Sequence, residues 1–309
     1  MNKLWQIPDP ISVDEIVCED GSRVFLRRHG NPAGVRLLLS HGNSLAIDLY
    51  YPFWSLLEQD FDLFIFDMRS HGWNDVCDES NHNFVLFVSD FDRIVHTINE
   101  VHGEKPLVGV FHSVSAMVAV LLHSSSFIST SLSRKSSNLD GMLLFDPPFY
   151  QPGQSHEDHD EAMEVAAKRR RRIATSFESL EQFVDLLTWS PGFSRLVPGA
   201  RELIAETTLR KSKDGTGYEL RCPRDYQVKI IESCRAFAGE VDIGTLPCKT
   251  KVIGSDPLLP FSYMPTVDFS DVLSVDYDFI PDSSHYLQIE RPHECADYVR
   301  NFVKEVLNT

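Results

Sequence analysis

The sequence predicts an α/β fold interrupted by a helical insert, and three observations carry that prediction. Over the first 150 residues, short apolar strand-like runs alternate with segments of helical periodicity, the pattern of a sheet covered by helices rather than of separate all-α or all-β domains. Between Pro148 and Gly244 the strand signal disappears and helical patterns remain, split by Pro and Gly. Strand character then resumes at Lys251-Val252-Ile253, and the chain closes on an amphipathic helix.

Two short strands open the chain, around Ser12–Cys18 and Arg23–Arg28, joined at Glu19-Asp20-Gly21, where the glycine permits a tight turn. Val35–Leu39 is a buried strand that runs into Ser40-His41-Gly42-Asn43-Ser44. A helix is expected near Tyr50–Glu58, followed by the strand Leu63–Phe66 ending at Asp67. Phe84, Phe87, Phe91, Ile94, Ile98 and Val101 recur at helical spacing and predict a helix packed on the sheet. Pro106 before Leu107–Phe111 favours a central strand, and a helix from Ser115 to His123 follows at once. After a Ser-rich stretch, Ser124–Ser137, read as a flexible connection, Met142–Phe145 is another strand, closed by Asp146-Pro147-Pro148.

Inside the insert, helices are expected over Glu161–Ala174, Leu180–Trp189, Ala200–Arg210 and Asp225–Phe237, the second opened by the capping box Ser179-Leu180-Glu181-Gln182. With no convincing buried strand among them, the block reads as an all-helical cap inserted over one edge of the sheet. This assigns residues 1–147 and 246–309 to the core and 148–245 to the cap. The strand Leu273–Phe279 and a helix over Glu294–Val306 complete the core.

Composition narrows the function. A chain of 309 residues, 42% apolar, buries roughly three quarters of its unfolded surface without help from a metal or disulfide. With 29 basic against 45 acidic residues and a net charge of -16, it is a poor partner for a nucleic-acid backbone. Six scattered cysteines without a C-x-x-C pair fit neither a zinc site nor a disulfide scaffold, which points to reduced thiols in the cytoplasm. Met1–Pro10 lacks the apolar run of a signal peptide, and no segment approaches the roughly 20 apolar residues of a membrane span. No cofactor or metal is implied. The basic run Lys168–Arg172, just after acidic Glu157–Glu161, reads as a solvated helix face, and His156-Glu157-Asp158-His159-Asp160 as a solvated loop rather than a metal site.

The chemistry concentrates at Gly109–Met117, where an apolar strand stops, a Ser follows a His, and a helix of small residues begins. A serine hydroxyl becomes a useful nucleophile when it is exposed on a strained strand-to-helix turn, near a base and near N–H groups that hold an oxyanion, which makes Ser113 the candidate. Shifting the frame to Ser115 loses the preceding histidine. Asp256, just past a strand in Ile253-Gly254-Ser255-Asp256-Pro257, and His285, in a loop between the last strand and last helix, give the order Ser, Asp, His expected along one edge of a parallel sheet. Asp146, after an earlier strand, is the rival for the acid.

Four places, in order over about 280 residues, carry a family resemblance: His41-Gly42, Asp67-Met68-Arg69-Ser70-His71-Gly72, the turn at Ser113, and His285-Tyr286-Leu287-Gln288-Ile289-Glu290-Arg291-Pro292. In these the sequence resembles the α/β-hydrolases with a helical cap. The resemblance implies a mostly parallel eight-stranded sheet and a triad of Ser113, His285 and Asp256, with the backbone N–H groups of Asn43 and Val114 as the oxyanion hole. His112 reads as packed beneath the turn rather than reactive, His41 as fixing the oxyanion loop rather than transferring protons, and Arg69 and His71 as bracing the loop after the fourth strand. Trp73, Phe149, Tyr150 and Trp189 are candidates for lining an apolar pocket or for ordinary packing. The Lys168–Arg172 run then falls on the cap, at a candidate substrate entrance.

A small-molecule carboxylic ester or lactone is the expected substrate. Hydrolysis of a carbon–carbon bond by the same triad comes second, and a homodimer is the protein partner left open. Haloalkane and epoxide chemistry is disfavoured, because those branches place an aspartate where Ser113 stands. One departure stands out: the family's elbow carries small residues two before and two after the nucleophile, and here those positions hold Phe111 and Ser115. Phe111 therefore keeps open a ligand-binding protein with little turnover.

Overall fold

Eight strands form one sheet: β1 Ser12–Val17, β2 Arg23–Gly30, β3 Val35–Ser40, β4 Phe61–Phe66, β5 Leu107–His112, β6 Gly141–Phe145, β10 Lys249–Gly254 and β11 Asp276–Phe279, in the order β1-β2-β4-β3-β5-β6-β10-β11. The computed structural model describes residues 4–123, 139–149, 155–241, 246–259 and 276–308; Ser124–Ser137, Tyr150 and the first part of the expected strand Leu273–Phe279 lie outside them. β1, β2 and β4 pair antiparallel, and the remaining neighbours pair parallel. The central strands read as near-continuous apolar runs because helices cover both faces: every residue of β4, β5 and β6 is buried. β1, at the edge, alternates instead, with Ser12, Asp14 and Ile16 half-buried or buried and Val13, Glu15 and Val17 exposed. The turn between β1 and β2 depends on Gly21, whose φ of +81° is costly for any residue with a Cβ.

One face of the sheet is covered by α2 (Phe84–His102) and α3 (Val114–His123), the other by α1 (Tyr51–Trp54) and α9 (Pro292–Leu307), with the short α8 (Leu287–Glu290) leading into α9. Asn83 starts α2 by accepting the Leu86 N–H at 3.0 Å. Phe84, Phe87, Phe91, Ile94 and Ile98 are buried as their spacing predicts, whereas Val101, in the last turn, is 59% exposed.

The segment between β6 and β10 holds α4 (His156–Arg171), α5 (Leu180–Thr188), α6 (Ala200–Thr208) and α7 (Arg224–Phe237), close to the predicted bounds. It also holds three short strands, β7 (Ser176–Phe177), β8 (Leu209–Lys211) and β9 (Tyr218–Leu220), paired antiparallel in the order β7-β9-β8. The expectation of an all-helical insert is corrected in this respect. Strands of two or three residues are too short to show an alternating pattern.

Ser155 caps α4 by accepting the Asp158 N–H at 3.0 Å, and the helix carries Glu157 and Asp158 in its first turn and Lys168–Arg171 in its last. That charge order is stabilised by the helix dipole at both ends. The cluster His156–Asp160 therefore lies on a helix start and not in a loop, and the described residues contain no metal-ligating group of three. The insert is tied to the core by hydrogen bonds from Asn43 Nδ2 to Gln227 O at 2.8 Å, Tyr226 Oη to Cys77 O at 2.9 Å and Arg221 to Gly72 O at 3.0 Å. Among the described residues no helix is long and apolar enough to cross a membrane.

Candidate active site

The loops that follow the parallel strands gather at one end of the sheet, where ligands bind in open α/β folds. β5 ends at His112, Ser113 takes a left-handed φ of +54°, and α3 begins at Val114. A non-glycine residue in that conformation costs about 1–2 kcal/mol and needs restraint from its surroundings. Ser113 N–H donates to Phe145 O at 2.9 Å, while the Ser115 hydroxyl accepts the His112 N–H at 3.0 Å and donates to His112 O at 2.9 Å. Ser115 thus pins the turn, and Ser113 is the residue it presents.

Phe111 finds its place along the strand. A Cβ at Gly109 would lie 2.3 Å from the Phe111 ring, so the ring covers bare backbone two residues back and packs against Phe91 at a centroid distance of 5.4 Å. The space that the family elbow leaves beside the nucleophile is here provided at Gly109.

His285 Nε2 stands 3.0 Å from Ser113 Oγ, and its Nδ1 stands 2.6 Å from Asp146 Oδ2. The expectation that Asp256 faces this imidazole is corrected. Asp146 ends β6, the strand directly beside β5, whereas Asp256 follows β10, one strand further along the sheet. The carboxylate oxygens of Asp256 accept the backbone N–H groups of Leu258 and Asp282 at 2.9 and 2.8 Å, so it braces the loop that carries His285. The second oxygen of Asp146 accepts from the N–H and hydroxyl of Ser255 at 3.0 and 3.1 Å. Burial alone would raise the Asp146 carboxyl, but the hydrogen bond and charge of His285 outweigh it and hold the group below the usual carboxylate range.

The neighbouring histidines are fixed in place. His112 Nε2 lies 2.8 Å from His285 O, a contact in which only a ring N–H can serve as donor; Nδ1 is then the acceptor for the Tyr50 hydroxyl at 2.6 Å. Tyr50 Oη in turn accepts the Gly42 N–H at 3.1 Å. This chain links the loop after β3, the turn at Ser113 and the loop of His285. Burial, reinforced by the neighbouring His285, pushes His112 well below the ordinary histidine range and keeps it neutral.

His41 donates from Nδ1 to Gly42 O at 2.8 Å and accepts the Met68 N–H at 3.0 Å, while His71 accepts the Ser44 N–H at 3.2 Å. Arg69 grips Asp90 through two bonds of 2.7 Å. Glu290, inside the quoted His285–Pro292 motif, accepts the Ser284 N–H at 2.6 Å and the Ser284 hydroxyl at 2.7 Å, which fixes the residue before His285.

Asn43 and Val114 border the same cavity as Ser113 and His285, and neither backbone N–H has an acceptor among the described residues. The cavity holds about 80 Å³ and is roofed by Met163, Ala166 and Arg170 of α4 and Ile230, Ile231 and Cys234 of α7. Trp73, Phe149 and Trp189 do not line it: Trp73 stacks on Arg27 at 4.3 Å, Phe149 is buried in the core and Trp189 is 86% exposed. A wider groove of about 850 Å³ along the insert's small sheet contains none of the groups around Ser113. The sequence ranks Asp146 second for the acid, and it gives no role to the supporting residues Tyr50 and Glu290, although Glu290 stands inside the quoted His285–Pro292 motif.

The chain matches the family model described as "Alpha/beta hydrolase family" over residues 37–298. No curated protein matches its sequence. Among solved structures, it is similar to an E-2-(acetamidomethylene)succinate hydrolase, with TM-score 0.74 and 14% identity over 95% of this chain and 99% of that one. It is also similar to a thermophilic esterase from Thermogutta terrifontis, with TM-score 0.64 and 19% identity over 96% and 99% of the two chains. A haloalkane dehalogenase from Bradyrhizobium elkani gives TM-score 0.66 and 12% identity over 96% and 99%. At these identities the likeness concerns the fold, and together with the family match it means that the chain belongs to the alpha/beta hydrolase family.

Proposed function

We propose that the protein is a serine hydrolase of carboxylic esters or lactones, with Ser113 as nucleophile, His285 as general base and Asp146 as the acid that orients it. The observation that supports this most directly is the imidazole suspended between Ser113 Oγ at 3.0 Å and Asp146 Oδ2 at 2.6 Å. An ionised Asp146 accepts the Nδ1–H, which leaves Nε2 with its lone pair toward the hydroxyl. As Ser113 Oγ attacks the carbonyl carbon, its proton passes to Nε2. The developing oxyanion lies between the N–H groups of Asn43 and Val114, the latter at the positive end of α3. Collapse expels the alcohol, which takes the proton from His285, and water then hydrolyses the acyl-enzyme by the same steps in reverse.

The reading includes residues 148–245 as a cap over the site, and the six unpaired cysteines suit a reducing compartment such as the cytoplasm. Phe111, the reason to consider a binding protein without turnover, is accommodated over Gly109 and no longer argues for one. A fluorophosphonate probe should label the wild-type protein and leave Ser113→Ala unlabelled, with short p-nitrophenyl ester hydrolysis reduced about 10⁴-fold or more in the variant. Labelling that survives the substitution would sink the assignment.

A further inference from the structure

We infer that the substrate carries a carboxylate a few carbons from the bond to be cleaved, and that Arg170 recognises it. This rests on the hydrolase reading above and names the substrate class of that same site. The cavity wall is otherwise apolar on the insert side, and Arg170 is the one lysine or arginine among the described residues that line it, while Asp146 and His285 are hydrogen-bonded to each other. Its neighbours on the helix are occupied or face solvent. Lys168 pairs with Glu164 at 2.6 Å, Arg171 pairs with Glu232, and Arg169 and Arg172 are exposed. Arg170 is half-buried, borders the cavity, and has no carboxylate partner among the described residues.

A guanidinium at the cavity wall without a carboxylate of its own is available to one brought by the substrate, and its planar fork matches a carboxylate in two-point geometry. The surrounding charge makes the placement more telling. With a net charge of -16 the protein as a whole repels anions, so a cation at the cavity wall offsets the charge of Asp146 and gives an anionic group a local partner. A cavity of about 80 Å³ leaves room for a short chain only, so the carboxylate of a small monoester reaches the cap wall while its carbonyl stays near Ser113.

Matched pairs of esters test this: ethyl hydrogen succinate against ethyl pentanoate, with the charge on the acyl side, and 3-acetoxypropanoate against propyl acetate, with the charge on the alcohol side. The wild-type protein should prefer one charged ester over its neutral partner by about tenfold or more in kcat/KM. That ratio should collapse toward one in Arg170→Gln, recover in part in Arg170→Lys, and survive in Arg169→Gln, whose side chain points to solvent. No preference for either charged ester, or an equal loss of the ratio in Arg169→Gln, overturns the inference while leaving the hydrolase reading intact.

Binding to the Ser113→Ala protein, followed by calorimetry, separates the two readings when turnover is absent. Tighter binding of a charged ester that is lost on adding Arg170→Gln supports the inference even if the wild-type protein hydrolyses neither ester. Binding that is equal for charged and neutral esters, or absent for both, overturns it.

Discussion

The two walls of the cavity are built on different principles. On the core side almost every polar group is buried and tied to another: Gly42 to Tyr50, Tyr50 to His112, His112 to the loop of His285, and Ser284 to Glu290. On the insert side the wall is two helices that present apolar side chains and one arginine, held to the core through a few bonds such as Asn43 to Gln227. The first wall fixes distances between reacting atoms to a fraction of an ångström. The second fixes only shape and charge, so the two should respond differently to the same kinds of change.

The largest expected effect is on the core side. Asp146→Asn should leave the fold intact and lower kcat by about 10⁴-fold, because an amide in place of the carboxylate favours the wrong imidazole tautomer. Asp256→Asn, by contrast, should lower kcat by no more than about tenfold, since its role is to brace a loop through backbone N–H groups. Steady-state kinetics on both variants checks the distinction, and equal losses would return Asp256 to the site.

Acid should loosen the core wall. Burial, before any other cause, lowers His29 and His41 to about 4, His71 to about 3 and His82 to about 2. Each binds its proton more weakly in the folded than in the unfolded chain. Between pH 6.5 and 4 the unfolded chain therefore takes up protons that the folded one refuses, and stability falls as pH falls, by about 1.4 kcal/mol per pH unit for each histidine. His82→Leu removes one of these buried imidazoles and should flatten this slope by about one proton. Urea denaturation at pH 7, 6, 5 and 4 measures it.

Tyr50→Phe should cost about 1–3 kcal/mol of stability, because it strips a partner from both the Gly42 N–H and His112 Nδ1. It should also lower kcat more than it raises KM, since the hydroxyl joins loops that carry reacting groups and lies away from the substrate wall. On the insert side, Met163→Ala should change the rate of fluorophosphonate labelling by only a few-fold while shifting the preferred acyl length upward, as expected of a shape-only contact. A labelling rate that fell as steeply as in Asp146→Asn would erase the contrast between the walls.

The contrast also explains what the sequence reveals. The strand runs Val35–Leu39, Leu107–Phe111 and Met142–Phe145 are apolar because both faces of the sheet are covered, and Ser113 and His285 sit in local patterns that a strained turn and a loop before a helix require. The choice of Asp146 over Asp256 is not local. It depends on which strand lies beside β5, and both aspartates follow a strand and precede a proline. Tyr50, His112 and the carbonyl of His285 are separated by 62 and 173 positions, so no spacing rule joins them. β7, β8 and β9 are too short for periodicity, and the inward turn of Arg170 is indistinguishable in sequence from the solvated face of its neighbours.

Gly109 and Phe111 have a consequence for how this site tolerates change. A methyl group at Gly109 would collide with the ring, while removal of the ring alone opens a void in a close-packed core. Each substitution is harmful by itself, and Phe111→Ala made first removes the closest obstacle to Gly109→Ala, leaving Leu139 Cδ1 at 3.0 Å to shift slightly. In a double-mutant cycle on unfolding free energy, the pair should therefore cost less than the sum of the singles. The two positions act as one hereditary unit: a sequence can cross between this elbow and the small-residue kind only by passing through a hollow intermediate, and the order of its steps is set by sterics.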